Sequence, residues 1–145
     1  PQARLSPDAE HFLINPFGLS YNEITASSLV KVDLKGAVID PGTTNFGINL
    51  AGYTLHSAIH GVRPDIRCIV HIHTPSVVAI SSVKQGLLPV SQEACLLGDV
   101  TYHQYQGLVV DADEKQAIAK DLGLSSKVML LRNHGAVCGG ETVEE

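Results

Sequence analysis

The chain has 145 residues, 44% of them hydrophobic and only 17% charged, enough for one domain with a proper core and too few for two ordinary ones. That share of apolar residues excludes a disordered linker, and no apolar stretch reaches the roughly 18–20 residues of a membrane-crossing helix. Ten basic residues against fifteen acidic ones give a formal charge of −5 with no basic run, which argues against nucleic acid or anionic lipid as a direct partner. With so few charges, part of the surface is expected to be covered by another chain or segment. The three cysteines, Cys68, Cys95 and Cys138, are odd in number and widely spaced, as expected of a reducing compartment. Cys68, within the apolar run 66–70, is expected to be a small core residue.

Residues 1–10 are polar and turn-rich and carry no sign of a leader. His11 to Ile14 reads as a strand, stopped by Asn15-Pro16 and Gly18. Residues 25–28 suit a short helical turn. Residues 29–34 alternate, with Val30, Val32 and Leu34 on one face, and a turn at Lys35-Gly36 leads to a partner strand at 37–39. Residues 40–49 read as a loop. Leu50 to Val62 carries Leu55, Ala58, Ile59 and Val62 at helical spacing, and Arg63-Pro64 ends that helix. Residues 66–73 form the clearest strand: Ile66, Cys68, Val70 and Ile72 alternate with Arg67, Ile69, His71 and His73. Thr74-Pro75 opens a helix over 76–83. Residues 87–97 fit either element. Short strands are expected at 100–102 and 108–110. A helix follows over 111–122, capped by Asp111 and ended by Gly123, then strands at 127–131 and 136–138. Thr142 with Glu145 three residues on forms a capping box, which announces a helix and more of the domain beyond it.

His71 and His73 stand at i and i+2 of a strand, so both imidazoles project from one face and can reach one ion. HxH alone is equally the exposed end of an ordinary strand. His134, in Arg132-Asn133-His134-Gly135 directly after an apolar strand, is a candidate third ligand, which would make a three-imidazole zinc site with an open position. His56 and His60 are four apart on the predicted helix but lack the glutamate of a HExxH site, because Ser57 stands there. Both are expected to be helix-surface or packing residues. His11 and His103 carry no partner signal. No GxSxG, P-loop or CxxC occurs, so a serine hydrolase, a nucleotide-binding loop and a redox motif are unsupported. No spacing joins Cys95 or Cys138 to the histidines.

The order of these motifs resembles the class II (zinc-dependent) aldolase/adducin family over essentially the whole chain. The resemblance is carried by Pro16-Phe17-Gly18, Asp33-Leu34-Lys35-Gly36, Arg63-Pro64-Asp65, His71-Ile72-His73-Thr74 and Leu131-Arg132-Asn133-His134-Gly135. The runs 11–19, 25–31 and 55–60 are specifically similar to adducin heads. The resemblance implies an α/β fold of three layers, α/β/α, around a mixed sheet, with the head continuing on both sides of residues 1–145. It also implies zinc ligation by His71, His73 and His134, although the same residues could be inherited packing groups hydrogen-bonded to backbone. The aldolase segment Pro-Ser-Ser-Glu, which supplies phosphate contacts and the catalytic carboxylate, falls on Asn49-Leu50-Ala51-Gly52, and a phosphate-side serine falls on Phe17. Glycine supplies no base, and leucine and phenylalanine cannot hydrogen-bond a phosphate. The expectation is therefore a non-catalytic interaction and oligomerisation domain, with zinc possible but no cofactor required. In the full protein, the resemblance implies actin capping, spectrin recruitment, homo- or hetero-oligomers with adducin subunits, and a calmodulin-binding tail. It places the protein in the cytoplasm at the inner face of the plasma membrane, with indirect membrane association. The alternative is a zinc-dependent aldolase or epimerase acting on a small phosphorylated sugar.

Overall fold

The computed structural model describes residues 1–6, 10–107 and 112–145. Its elements are β1 (Gln2–Arg4), β2 (His11–Ile14), β3 (Val30–Asp33), β4 (Val38–Asp40), α1 (Leu50–Val62), β5 (Cys68–Ile72), α2 (Pro75–Ser82), α3 (Gln92–Leu96), β6 (Val100–His103), α4 (Ala112–Leu122), β7 (Val128–Leu131) and β8 (Gly135–Gly140). The strands join in one sheet of order β4-β3-β2-β1-β5-β8-β7-β6. Among the described residues only β6 and β7 run parallel, so the sheet is mixed, as expected. Among the described residues no helix is long and apolar enough to cross a membrane. The expected strand at 108–110 and the Asp111 cap lie outside the described residues.

The alternation in β2 and β3 turns Phe12, Ile14, Val30 and Val32 inward onto Tyr53 of α1. Asn49 caps α1 by accepting from the Gly52 N–H at 3.2 Å. The α1 stripe of Leu55, Ala58 and Ile59 meets Ile118 and Leu122 of α4 over Ile69, Met129, Leu131 and Val137 of the sheet. Full burial of one such side chain contributes about 1.5–3 kcal/mol, so this shared layer sets where α1 and α4 lie. Val62, expected on the stripe, is exposed at the helix end. Arg63 there donates to the carbonyls of Gly123 and Ser126 and tethers α1 to the end of α4.

Several expectations are corrected. The turn-rich opening segment contains β1, which lies centrally between β2 and β5. Three residues are too few to show a period, and β1 is held by ladders on both sides. Arg4 adds a bond to the His60 carbonyl (2.9 Å) and sits 5.0 Å above the Phe12 ring. Residues 87–97 yield only the short α3. The strand at 66–73 begins at Cys68, so Ile66 enters the core from the preceding turn. Cys68 is half-buried rather than a core residue. With Leu13, Val70, Leu96, Val128 and Cys138 it lines an open apolar depression of about 450 Å³. No helix begins at Thr142 within these residues; the Glu145 carboxylate instead accepts from the Glu141 N–H and from Lys127. A capping box satisfies only the first turn of a helix and does not supply the following turns that repay nucleation.

Candidate metal centre

β5 and β8 pair antiparallel, with Ile72 opposite Ala136 and His71 opposite Val137. That register brings the end of β5 beside the turn between β7 and β8. In the turn, Asn133 adopts a left-handed conformation (φ 60°), which asparagine tolerates better than most residues. The His134 N–H bonds back to the Leu131 carbonyl at 3.0 Å, which turns the His134 ring toward β5. Gly135 is needed for contact rather than conformation: a Cβ there would lie 2.4 Å from the Ile72 carbonyl oxygen and 2.8 Å from His73 Cδ2.

The structure brings all three expected ligands together. The Nε2 atoms of His71 and His73 are 2.8 Å apart, those of His73 and His134 2.9 Å, and those of His71 and His134 3.2 Å. Imidazole nitrogens sharing a tetrahedral zinc ion lie about 3.3 Å apart, so the donor set fits such an ion. His71 Nδ1–H donates to the Ala136 carbonyl at 2.9 Å, which leaves its Nε2 lone pair facing the other two rings. Burial, and then the neighbouring His73 and His134, push His71 down to about 4. Burial and His73 lower His134 as well. Neutral imidazole is the form that ligates metal. The Tyr105 ring stacks on His134 with centroids 3.8 Å apart and planes at 17°.

The cavity beside His71 and His73 is also lined by Asn15, Asn49, Gly52 and His56. Among the described residues no Asp or Glu lines it. His56, expected at the helix surface or in packing, is a buried residue that also reaches this cavity. It is 95% buried in α1 with an unpartnered Nδ1, and burial holds its pKa well below the usual value. His60, one turn further on, does pack: it lies against Phe12 at 4.6 Å and its Nδ1 bonds the Ile66 carbonyl. His103, which carried no partner signal, is buried between two carboxylates, with Nδ1 2.7 Å from Asp121 and Nε2 2.8 Å from Glu114. The seven-residue spacing of those acids on one face of α4 was legible, but which strand that face would meet was not. His11 and the three cysteines stand apart from the cluster.

The family model for the class II aldolase and adducin N-terminal domain matches residues 3–145. The chain belongs to that family. Mouse alpha-adducin is 61% identical over 142 residues, which are 98% of this chain and 19% of that protein. The chain thus spans about a fifth of the length of that curated relative. Among solved structures, an aldolase II superfamily protein from Pseudomonas syringae matches with a TM-score of 0.94 and 49% identity, over 99% of this chain and 58% of that one. The L-fuculose 1-phosphate aldolase of Glaciozyma antarctica matches with a TM-score of 0.83 and 36% identity, over 97% of this chain and 54% of that one. The family's members thus include adducins and aldolases alike, and the mixed α/β sheet is common ground.

Proposed function

We propose that this chain is the head domain of an adducin-like membrane-skeleton protein and serves subunit association, not catalysis. The observation that carries the non-catalytic half is Gly52. It borders the cavity beside the histidines where the aldolase pattern has its glutamate, and no other carboxylate among the described residues lines that cavity. Loss of a positioned general base removes about 10²–10⁴-fold in rate. Phe17, Leu50 and Ala51 stand at the phosphate-contact positions of that pattern, so a sugar phosphate would also lose its anchor. The similarity to alpha-adducin supports the membrane-skeleton half.

His71, His73 and His134 would hold a zinc ion, which as a Lewis acid polarises a bound carbonyl or hydroxyl. This chain's own residues supply ligation, but among the described residues no carboxylate lines the adjoining cavity to take the proton. Phe17, Tyr21 and Phe46 are each more than half exposed, and exposed aromatics suit a subunit interface. Actin filaments and spectrin are partners of the whole protein rather than of this domain, and the protein works in the cytoplasm at the inner face of the plasma membrane. Sedimentation velocity of the domain mixed with adducin-type subunits tests the reading. Association weakened by Phe17→Ser and Phe46→Ser supports it. A domain that stays monomeric while binding F-actin stoichiometrically and salt-resistantly overturns it.

A further inference from the structure

The three histidines are held in different ways. His71 is fixed by its bond to the Ala136 carbonyl. His73 sits between the end of β5 and Thr74, the N-cap of α2. Among the described residues the His134 ring has no hydrogen bond on Nδ1, and what lies flat against it is Tyr105. An imidazole on a turn, without such a partner, can rotate about χ2 and exchange Nδ1 for Nε2, which takes the donor atom away from the other two.

Tyr105 is itself anchored from the opposite side. It lies two residues beyond His103, whose ring is clamped by Glu114 and Asp121 of α4. The His103 carbonyl accepts the Arg132 N–H at 2.8 Å, which ties the end of β6 to the turn that carries His134. The Tyr105 side chain also packs against the core formed by α1, α4 and the sheet. One connected path therefore runs from α4 through the end of β6 to the third candidate ligand.

We propose that Tyr105 is a positioning residue of the metal centre: its stacked ring sets the plane of His134, and the Glu114–His103–Asp121 clamp holds Tyr105 in place. The inference rests on the metal-binding reading of the three histidines. A flat stack restricts ring rotation without competing for the donor nitrogen, and it does for His134 what the Ala136 bond does for His71.

Cobalt(II), whose visible absorption reports its coordination, is the probe. It is titrated into the wild-type protein and into Tyr105→Ala, Tyr105→Leu and Tyr105→Phe, with circular dichroism as the folding control. Leu keeps apolar bulk against the core but cannot stack flat, so it carries the test should the Ala variant fail to fold. The expected result is affinity about 10–100-fold weaker for Ala and Leu, the range seen when a partner outside the ligand shell is lost. Their absorption bands should also change, and Phe should restore both affinity and spectrum. Unchanged affinity and spectrum in the folded Ala or Leu variant overturn the inference while leaving the metal reading standing. A Phe variant as weak as Leu overturns it too, because the hydroxyl rather than the stack would then be responsible. Wild-type protein that takes up no cobalt overturns the metal reading, and the inference with it.

Discussion

Gly135→Ala is expected to damage the histidine centre more than the fold. The added methyl would lie 2.4 Å from the Ile72 carbonyl oxygen and 2.8 Å from His73 Cδ2, where ordinary contacts begin at 3.4 Å. Gly135 has no left-handed φ, so the cost is contact alone. The carbonyl belongs to β5 and cannot swing away freely, so β5 and β8 must separate by up to about 1 Å at the end where His71 and His73 of one side face His134 of the other. Overpacking of this kind costs about 1–3 kcal/mol, which moves a urea midpoint by about 1 M at ordinary m-values. Ligand positions in a metal site tolerate only about 0.2 Å, so a partial separation already pulls His71 and His73 away from His134. Metal affinity should fall at least about tenfold, equivalent to about 1.4 kcal/mol. Urea denaturation and cobalt titration of the two proteins in parallel measure both effects. A variant with an unshifted midpoint and affinity within about twofold of wild type would refute the close-approach argument.

Two further outcomes follow from buried histidines. Burial depresses His60 to about 4 from an ordinary 6.5. The unfolded chain therefore binds the proton first on acidification, and the native state loses stability as the pH falls from 6.5 toward 4. The loss from His60 is on the order of 3 kcal/mol, and His60→Leu should flatten that limb in urea midpoints taken at pH 7 and pH 5; an equally steep limb in the variant refutes the assignment. His103→Ala strips the buried Glu114 of its hydrogen-bond partner at 2.8 Å, at a cost of about 1.5–3 kcal/mol. Thermal denaturation should show His103→Ala recovering part of that loss when combined with Glu114→Leu, and simple additivity of the two changes would count against the clamp.

What was legible in the sequence depended on how local the cause is. α1 was readable from its apolar spacing of Leu55, Ala58 and Ile59 and its stop at Arg63-Pro64, which are all local, while its Asn49 cap came only with the structure. The pairing of His71 with His73 followed from strand geometry alone. His134 could be named as a candidate from its place after an apolar strand and from the family resemblance, but its approach depends on the β5–β8 register across more than 60 positions, which no local period encodes. β1 stayed hidden because its three residues gain their structure from two neighbouring ladders. The burial of His56 and the carboxylate partners of His103 turn on which helix face meets which strand. Cys68 shows the same limit in reverse: an apolar run says that a face can be covered, and not which face is.

The most direct test of the central claim is turnover by the zinc-loaded protein. A small ketose 1-phosphate is supplied and release of dihydroxyacetone phosphate is followed by coupled oxidation of NADH. With His71, His73 and His134 assembled and no carboxylate among the described residues lining the adjoining cavity, the rate should not exceed that of the metal-free protein. Retro-aldol turnover that depends on zinc and is lost in His73→Ala would contradict the account.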